Sequence, residues 1–324
     1  MIGSLRISHF KSIRELALSP RRLNIFIGRP NAGKSNILES LGLMSFLWYG
    51  QFGYSAGQFV RFERTSNLFY DEALDQPLEI SCDDRRITLG FKTGFEGVFS
   101  SDKRQPRQAL YGGHGALQNS GGYVQEVADF KAYRFSQVAQ FKELDSDCLV
   151  PPFGENLLSL LLSNRELRAT VNQPFSSMGL RLNLRPQEGK LEVIKQLEDV
   201  IVSYPYSLAS ETLQRLTFHI AAILTNKQSI IILEEPESHA FPYYTKYLAE
   251  LISLDRNENQ YFISTHNPYF LLPIVSKAPS SDVQVYLTYY EDYETRVKPL
   301  SEQDLAELGE IDAFSNLDRY LEAK

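Results

Sequence analysis

Cysteine is scarce in this chain. Cys82 and Cys148 are the two thiols among 324 residues. Neither has metal-ligand spacing or a motif partner, which excludes a disulfide scaffold and a thiolate metal site and fits a reducing compartment. An excess of basic charge is also missing. Lys and Arg number 33 against 40 Asp and Glu, a net charge of −7, so bulk charge gives no support to nucleic-acid binding. The short basic spots (Lys11 with Arg14, Arg21 with Arg22, and Lys103, Arg104 and Arg107) read as solvated surface. No run approaches the ~20 apolar residues of a membrane-spanning helix, and residues 1–6 lack the apolar segment of a signal peptide. Heptads, internal repeats and low-complexity tracts are absent. These absences leave a soluble, cytoplasmic chain of 43% apolar and 23% charged residues. It is long enough for one large α/β domain or for two lobes of one.

One stretch organises the rest. Gly28-Arg29-Pro30-Asn31-Ala32-Gly33-Lys34-Ser35 fits G-x-x-x-x-G-K-[ST], the phosphate-binding loop. Before it, residues 22–27 are apolar and β-branched and read as a buried strand; after it, residues 36–44 carry apolar positions at helical spacing. Gly28 and Gly33 let successive N–H groups turn inward on a polyphosphate. The helix opening near Gly33 adds its positive end. Lys34 supplies a point charge for the β- and γ-phosphates and Ser35 a hydroxyl for Mg²⁺. The candidate nucleotide-binding residues are therefore Gly28, Arg29, Pro30, Asn31, Ala32, Gly33, Lys34, Ser35 and Asn36.

A second acidic and polar set lies downstream. Residues 230–233 are apolar and are followed by Glu234 and Glu235. A buried parallel strand with that ending delivers carboxylates to the carboxyl edge of a sheet, beside the phosphate loop. Glu234 is the candidate Mg²⁺ ligand together with Ser35, and Glu235 the candidate base for the attacking water. Ser207-Leu208-Ala209-Ser210-Glu211-Thr212 precedes a convincing apolar helix over residues 213–224. Either Ser207 or Ser210 caps that helix, or Ser210 binds an anion at its N-terminus; both use the same amide groups. Residues 259–264 read as another strand, ending in Thr265-His266.

The opening Leu5-x-Ile7-x-x-Phe10-Lys11-Ser12-Ile13, the continuation Pro236-Glu237-Ser238-His239 with Phe241-Pro242, and the order of these motifs resemble ATP-binding-cassette-type ATPases of the RecF, chromosome-maintenance and OLD (overcoming lysogenisation defect) group. The resemblance spans nearly the whole chain, with gaps between residues 100 and 200, and the long coiled coil and nuclease module of some members have no counterpart. It implies ATP and Mg²⁺ as ligands and a homodimer closed head to tail around two ATP molecules. It also implies a separate effector protein, with nucleic acid unsupported by net charge and no membrane. By the same resemblance Ser210 stands where a signature serine meets the partner subunit's γ-phosphate, although the glycines of that motif are missing. His266 stands where a histidine senses the γ-phosphate. Gln137 stands where a glutamine touches Mg²⁺ and water; an exposed helix glutamine is the alternative. His239 reads as a packed interface histidine rather than a catalytic one.

The expected fold is α/β: a P-loop NTPase of ABC-ATPase type, with a mixed central sheet, an antiparallel β subregion and an inserted helical lobe. Residues 1–99 form a nucleotide-binding lobe with a β meander that includes a strand at 59–62. Residues 100–125 are a flexible loop, and 126–205 a helical lobe with helix at 124–144, interrupted near 133–137, and at 157–162, 165–171 and 191–202. Residues 206–324 hold the signature, the acids and the histidine, with a closing hairpin (283–290 and 295–300) and an acidic helix from 301 to 321.

Overall fold

The computed structural model describes residues 1–102, 104–113, 116–120, 123–308 and 320. In chain order, β1 (Leu5–Phe10) and β2 (Ile13–Leu18) form a hairpin, and β3 (Leu23–Ile27) leads into α1 (Lys34–Tyr49). Then come β4 (Leu78–Cys82), β5 (Arg85–Phe91), β6 (Phe95–Ser101), β7 (Arg104–Gly113), β8 (Ala116–Asn119) and β9 (Phe130–Tyr133). An inserted lobe holds α2 (Leu157–Ser163), α3 (Arg165–Ser176), β10 (Leu180–Arg185), β11 (Lys190–Leu197) and β12 (Val200–Pro205). The last part runs α4 (Glu211–Thr225), β13 (Ile230–Glu234), α5 (Pro242–Ser253), β14 (Gln260–Ser264), α6 (Pro268–Lys277), β15 (Val283–Glu291), β16 (Glu294–Pro299) and α7 (Glu302–Leu308).

A six-stranded sheet, ordered β16-β15-β3-β14-β13-β9, is parallel except for the edge strand β16. Its strands alternate between two cores, as the two-residue period of a strand requires. Leu23, Ile25, Ile231, Leu233 and Ile263 pack with Ile220 of α4, Ile252 of α5 and Phe270 of α6. Phe26, Ile230, Ile232 and Phe262 pack on the opposite face with Ile37, Leu41 and Met44 of α1. That second core is closed by a seven-stranded antiparallel sheet, β2-β1-β4-β5-β6-β7-β8, through Leu5, Ile80 and Phe99. A helix buried between two sheets must be apolar nearly all round, and α1 (KSNILESLGLMSFLWY) is, with most of its residues buried.

Several expectations need correction. Residues 59–62 form no strand; they lie between two 3-10 turns, Ala56–Gln58 and Thr65–Leu68, in the connection from α1 to β4. The flexible loop expected at 100–125 carries β7 and β8 instead. Their Gly, Gln and Ser content fits an edge region held by ladder hydrogen bonds more than by apolar side chains, and a Cβ at Gly97 would press on Leu110 across the β6–β7 pair. The helix expected at 124–144 is a 3-10 turn, then β9, then coil, because β9 is needed as the parallel neighbour of β13. The inserted lobe keeps its helices in α2 and α3, but 191–202 forms most of β11 and the first half of β12 in a three-stranded sheet. Leu191 and Val193 alternate inward, and Glu198 at φ +47 turns the chain where a helix would continue. The acidic helix is described as α7; its expected continuation over 309–319 and at 321 lies outside the described residues.

Candidate functional site: a phosphate loop facing an acidic strand end

β3 ends at Ile27 and the chain turns through Gly28 (φ +148), Asn31 (φ +60) and Gly33 (φ +96) into α1. Both glycines are required twice over, by dihedral and by space. A Cβ on Gly28 would overlap the backbone carbonyl of Thr288, and one on Gly33 the side chain of Thr295. The β15–β16 hairpin therefore lies directly against the loop. Lys34, 5% exposed, donates from Nζ to the carbonyl oxygens of Gly28 and Arg29, each at 2.9 Å. Burial pulls its ammonium down to about 8, against the raising pull of Glu235 and Glu234.

β14 pairs with β3 on one side and β13 on the other, which sets their carboxyl ends around one open cleft of about 1070 Å³. Glu234 ends β13, and its Oε1 accepts from Ser35 Oγ and, at 3.1 Å, from an Arg61 guanidinium nitrogen. Arg61 is in turn held by Glu39 of α1, which also pairs with Lys11. Glu235 sits at φ +44, and its backbone N–H donates to the Ser264 carbonyl at 3.0 Å. Its Oε1 lies 3.2 Å from His266 Nε2, and its Oε2 accepts from Ser238 Oγ at 3.1 Å. Burial, then the Lys34 charge, lowers the His266 pKa, with Glu235 opposing. Behind this pair Glu237 is buried, accepts from the Thr265 hydroxyl, and is pushed up by burial to about 7.

Residues 129–272 match a family model described as "AAA domain, putative AbiEii toxin, Type IV TA system". A comparison with curated proteins returns no match. Among solved structures, the chain is similar to an Smc head bound to the C-winged helix domain of ScpA, at TM-score 0.57 and 14% identity over 94% of this chain and 99% of that one. It is also similar to an Smc head domain with an extended coiled coil, bound to the C-terminal domain of ScpA derived from Pyrococcus furiosus. There the TM-score is 0.55 and the identity 14%, over 95% of this chain and 98% of that one. The fold is that of an ABC-type P-loop ATPase.

In this fold Pro30, Asn31, Ala32, Gly33, Lys34, Ser35, Glu234, Glu235 and His266 line the same cleft. Arg29 is exposed and keeps its carbonyl on Lys34. Asn36 also reaches the cleft, but its side-chain amide donates to Ser12 Oγ at 2.6 Å, tying α1 to the β1–β2 turn. Ser210 lies apart, beside an apolar groove of about 580 Å³ with Phe241 and Tyr243. It caps α4 by accepting from the Leu213 N–H at 3.4 Å. Gln137 is exposed in the coil four residues past β9 and does not line the cleft. Sequence reasoning missed Arg61, Arg134, Arg215 and Ser238, all of which line it. Ser238 was legible, three residues past Glu235; Arg61 sits in turns that carry no motif.

The oxygen donors fit Mg²⁺. Among the described residues no group of three or more His, Cys, Asp and Glu could hold a metal by itself. A hydroxyl hydrogen-bonded to one carboxylate, at a helix start, is the partial set that Mg²⁺ completes with water and phosphate oxygens.

Proposed function

We propose that this chain is a Mg²⁺-dependent ATPase of the RecF- and OLD-like kind. Two copies close head to tail around two ATP molecules, and a separate effector protein in a DNA-maintenance or phage-defence system reads the closure. The observation that carries the reading is the convergence of Lys34, Ser35, Glu234, Glu235 and His266 in one cleft from the ends of three adjacent parallel strands. Lys34 holds the β- and γ-phosphates. Ser35 and Glu234 hold Mg²⁺, which neutralises charge on the phosphates. Glu235, oriented by Ser238 and His266, positions the attacking water and accepts its proton. His266, whose pKa partial burial and the Lys34 charge lower, meets the γ-phosphate and registers its loss.

The head-to-tail dimer is supported by Ser210. It stands at the start of α4, outside the cleft that holds its own chain's phosphate loop, so its helix end is available to another molecule's phosphates. The effector and the defence setting draw support from the matched family's description and from likeness to heads bound to ScpA. Phosphate release from Mg²⁺-ATP tests the reading: the wild type turns over and Lys34→Ala does not. Absence of Mg²⁺-dependent release from the wild type, or equal release from the variant, contradicts it.

A further inference from the structure

We infer that Tyr290 is the nucleobase platform of this site, the aromatic face on which the purine of a bound nucleoside triphosphate stacks. The inference rests on reading Gly28 to Ser35 as a nucleoside-triphosphate loop.

The sheet order gives the site a direction. Ser35 with Glu234, Glu235 and His266 mark the metal and terminal-phosphate end, and the strands that carry the acids and the histidine, β13 and β14, lie on one side of β3. A triphosphate lying across the loop with its terminal phosphate there sends its nucleoside toward the other side of β3. The neighbour on that side is β15, which continues into the hairpin with β16.

That hairpin is pressed onto the loop. The backbone of Thr288 fills the space beside Gly28, and the side chain of Thr295 the space beside Gly33. Thr295 is the cross-strand partner of Tyr290. Directly paired residues project to the same face of a sheet, so Tyr290 stands beside Gly33 at the rim of the loop. The hairpin is fixed there. Thr295 and Ser12 share a hydroxyl hydrogen bond of 2.6 Å, Asn36 donates to that same Ser12 at 2.6 Å, and the Thr295 N–H donates to the Ser12 carbonyl at 2.7 Å.

Tyr290 lines the cleft and is 53% exposed. Among the described residues its hydroxyl has no hydrogen-bond partner and its ring meets no other ring. The remaining cleft aromatics are committed. Phe59 and Tyr133 are buried, and Phe135 carries the Arg215 guanidinium 4.6 Å from its centroid. An exposed aromatic face on a clamped hairpin, at the nucleoside end of a phosphate loop, suits stacking. Stacking scales with the base's π-face and does not read its edge, so ATP and GTP are held alike and pyrimidine nucleotides less well.

Calorimetric titration with Mg²⁺ and either ATP or inorganic tripolyphosphate separates base from phosphate recognition. Tyr290→Ala weakens ATP about tenfold, within the range of base–aromatic stacking, and leaves tripolyphosphate affinity at the wild-type value. Tyr290→Phe keeps ATP affinity. Lys34→Ala weakens both ligands and reports on the loop alone. Unchanged ATP affinity in folded Tyr290→Ala, or an equal loss of tripolyphosphate, overturns the platform while the loop reading stands. A Lys34→Ala protein that binds both ligands like the wild type overturns the loop reading and the platform with it.

Discussion

Glu237→Gln probes the buried carboxyl behind the site. Glu237 is 5% exposed, accepts from the Thr265 hydroxyl, and has no partner for its Oε2 among the described residues. Burial raises its pKa from 4.5 to about 7. A carboxyl that ionises later in the folded state than in the unfolded one imposes no penalty below 4.5. It removes stability as pH rises toward 7 and holds that loss above it. Integrated between pH 5 and 8, the loss is about 2.5 kcal/mol. Glutamine keeps the size and the acceptor for Thr265 but cannot titrate. Its extra N–H, if left unpaired, costs about 1–3 kcal/mol at every pH, so the pH dependence carries the test and the absolute stability does not. Urea unfolding followed by circular dichroism at pH 5, 6, 7 and 8 should show the wild type losing about 2.5 kcal/mol more than the variant across that range. Superimposable pH profiles for the two proteins would refute the burial argument.

Two further outcomes follow from the loop and from the helix end. Because the free Lys34 ammonium titrates at about 8, ATP affinity should fall as pH rises, by about tenfold between pH 7 and 9; fluorescent-nucleotide titration of the wild type and of Lys34→Ala, which should lack this dependence, checks it. Ser210→Arg should leave nucleotide binding by the monomer intact and abolish ATP-dependent association in light scattering, because a long cation would stand at the start of α4 where a partner's phosphate arrives. Association that survives the change reduces Ser210 to a cap of its own helix.

The site was legible where chemistry is local. The phosphate loop, Glu234 with Glu235, and His266 each follow a short apolar strand, and a strand ending in a polar turn is written in consecutive residues. The closing hairpin, at β15 and β16, was legible for the same reason. Residues 191–202 were not, because apolar residues at 191, 194, 201 and 202 also satisfy helical spacing; pairing with β10 decides the outcome, and pairing is non-local. β7 and β8 were hidden by small polar residues whose order comes from backbone pairing to β6. Arg61 reaches Glu234 only because Glu39, 22 residues earlier, grips it from α1. Gln137 was read at an interruption of a helix that does not form, and it stands exposed beyond β9.

Glu235→Gln tests the central claim most directly. The amide keeps the shape and a hydrogen bond for the attacking water but cannot accept its proton, a loss of ~10²- to 10⁴-fold in rate. ATP binding persists, so the closed form should accumulate. Size-exclusion chromatography with light scattering, with and without Mg²⁺-ATP, is run alongside phosphate release on the same sample. The account predicts an ATP-dependent dimer of Glu235→Gln with almost no phosphate released. A variant that hydrolyses ATP at the wild-type rate would contradict it and move the search for the base to Glu234 or Glu237.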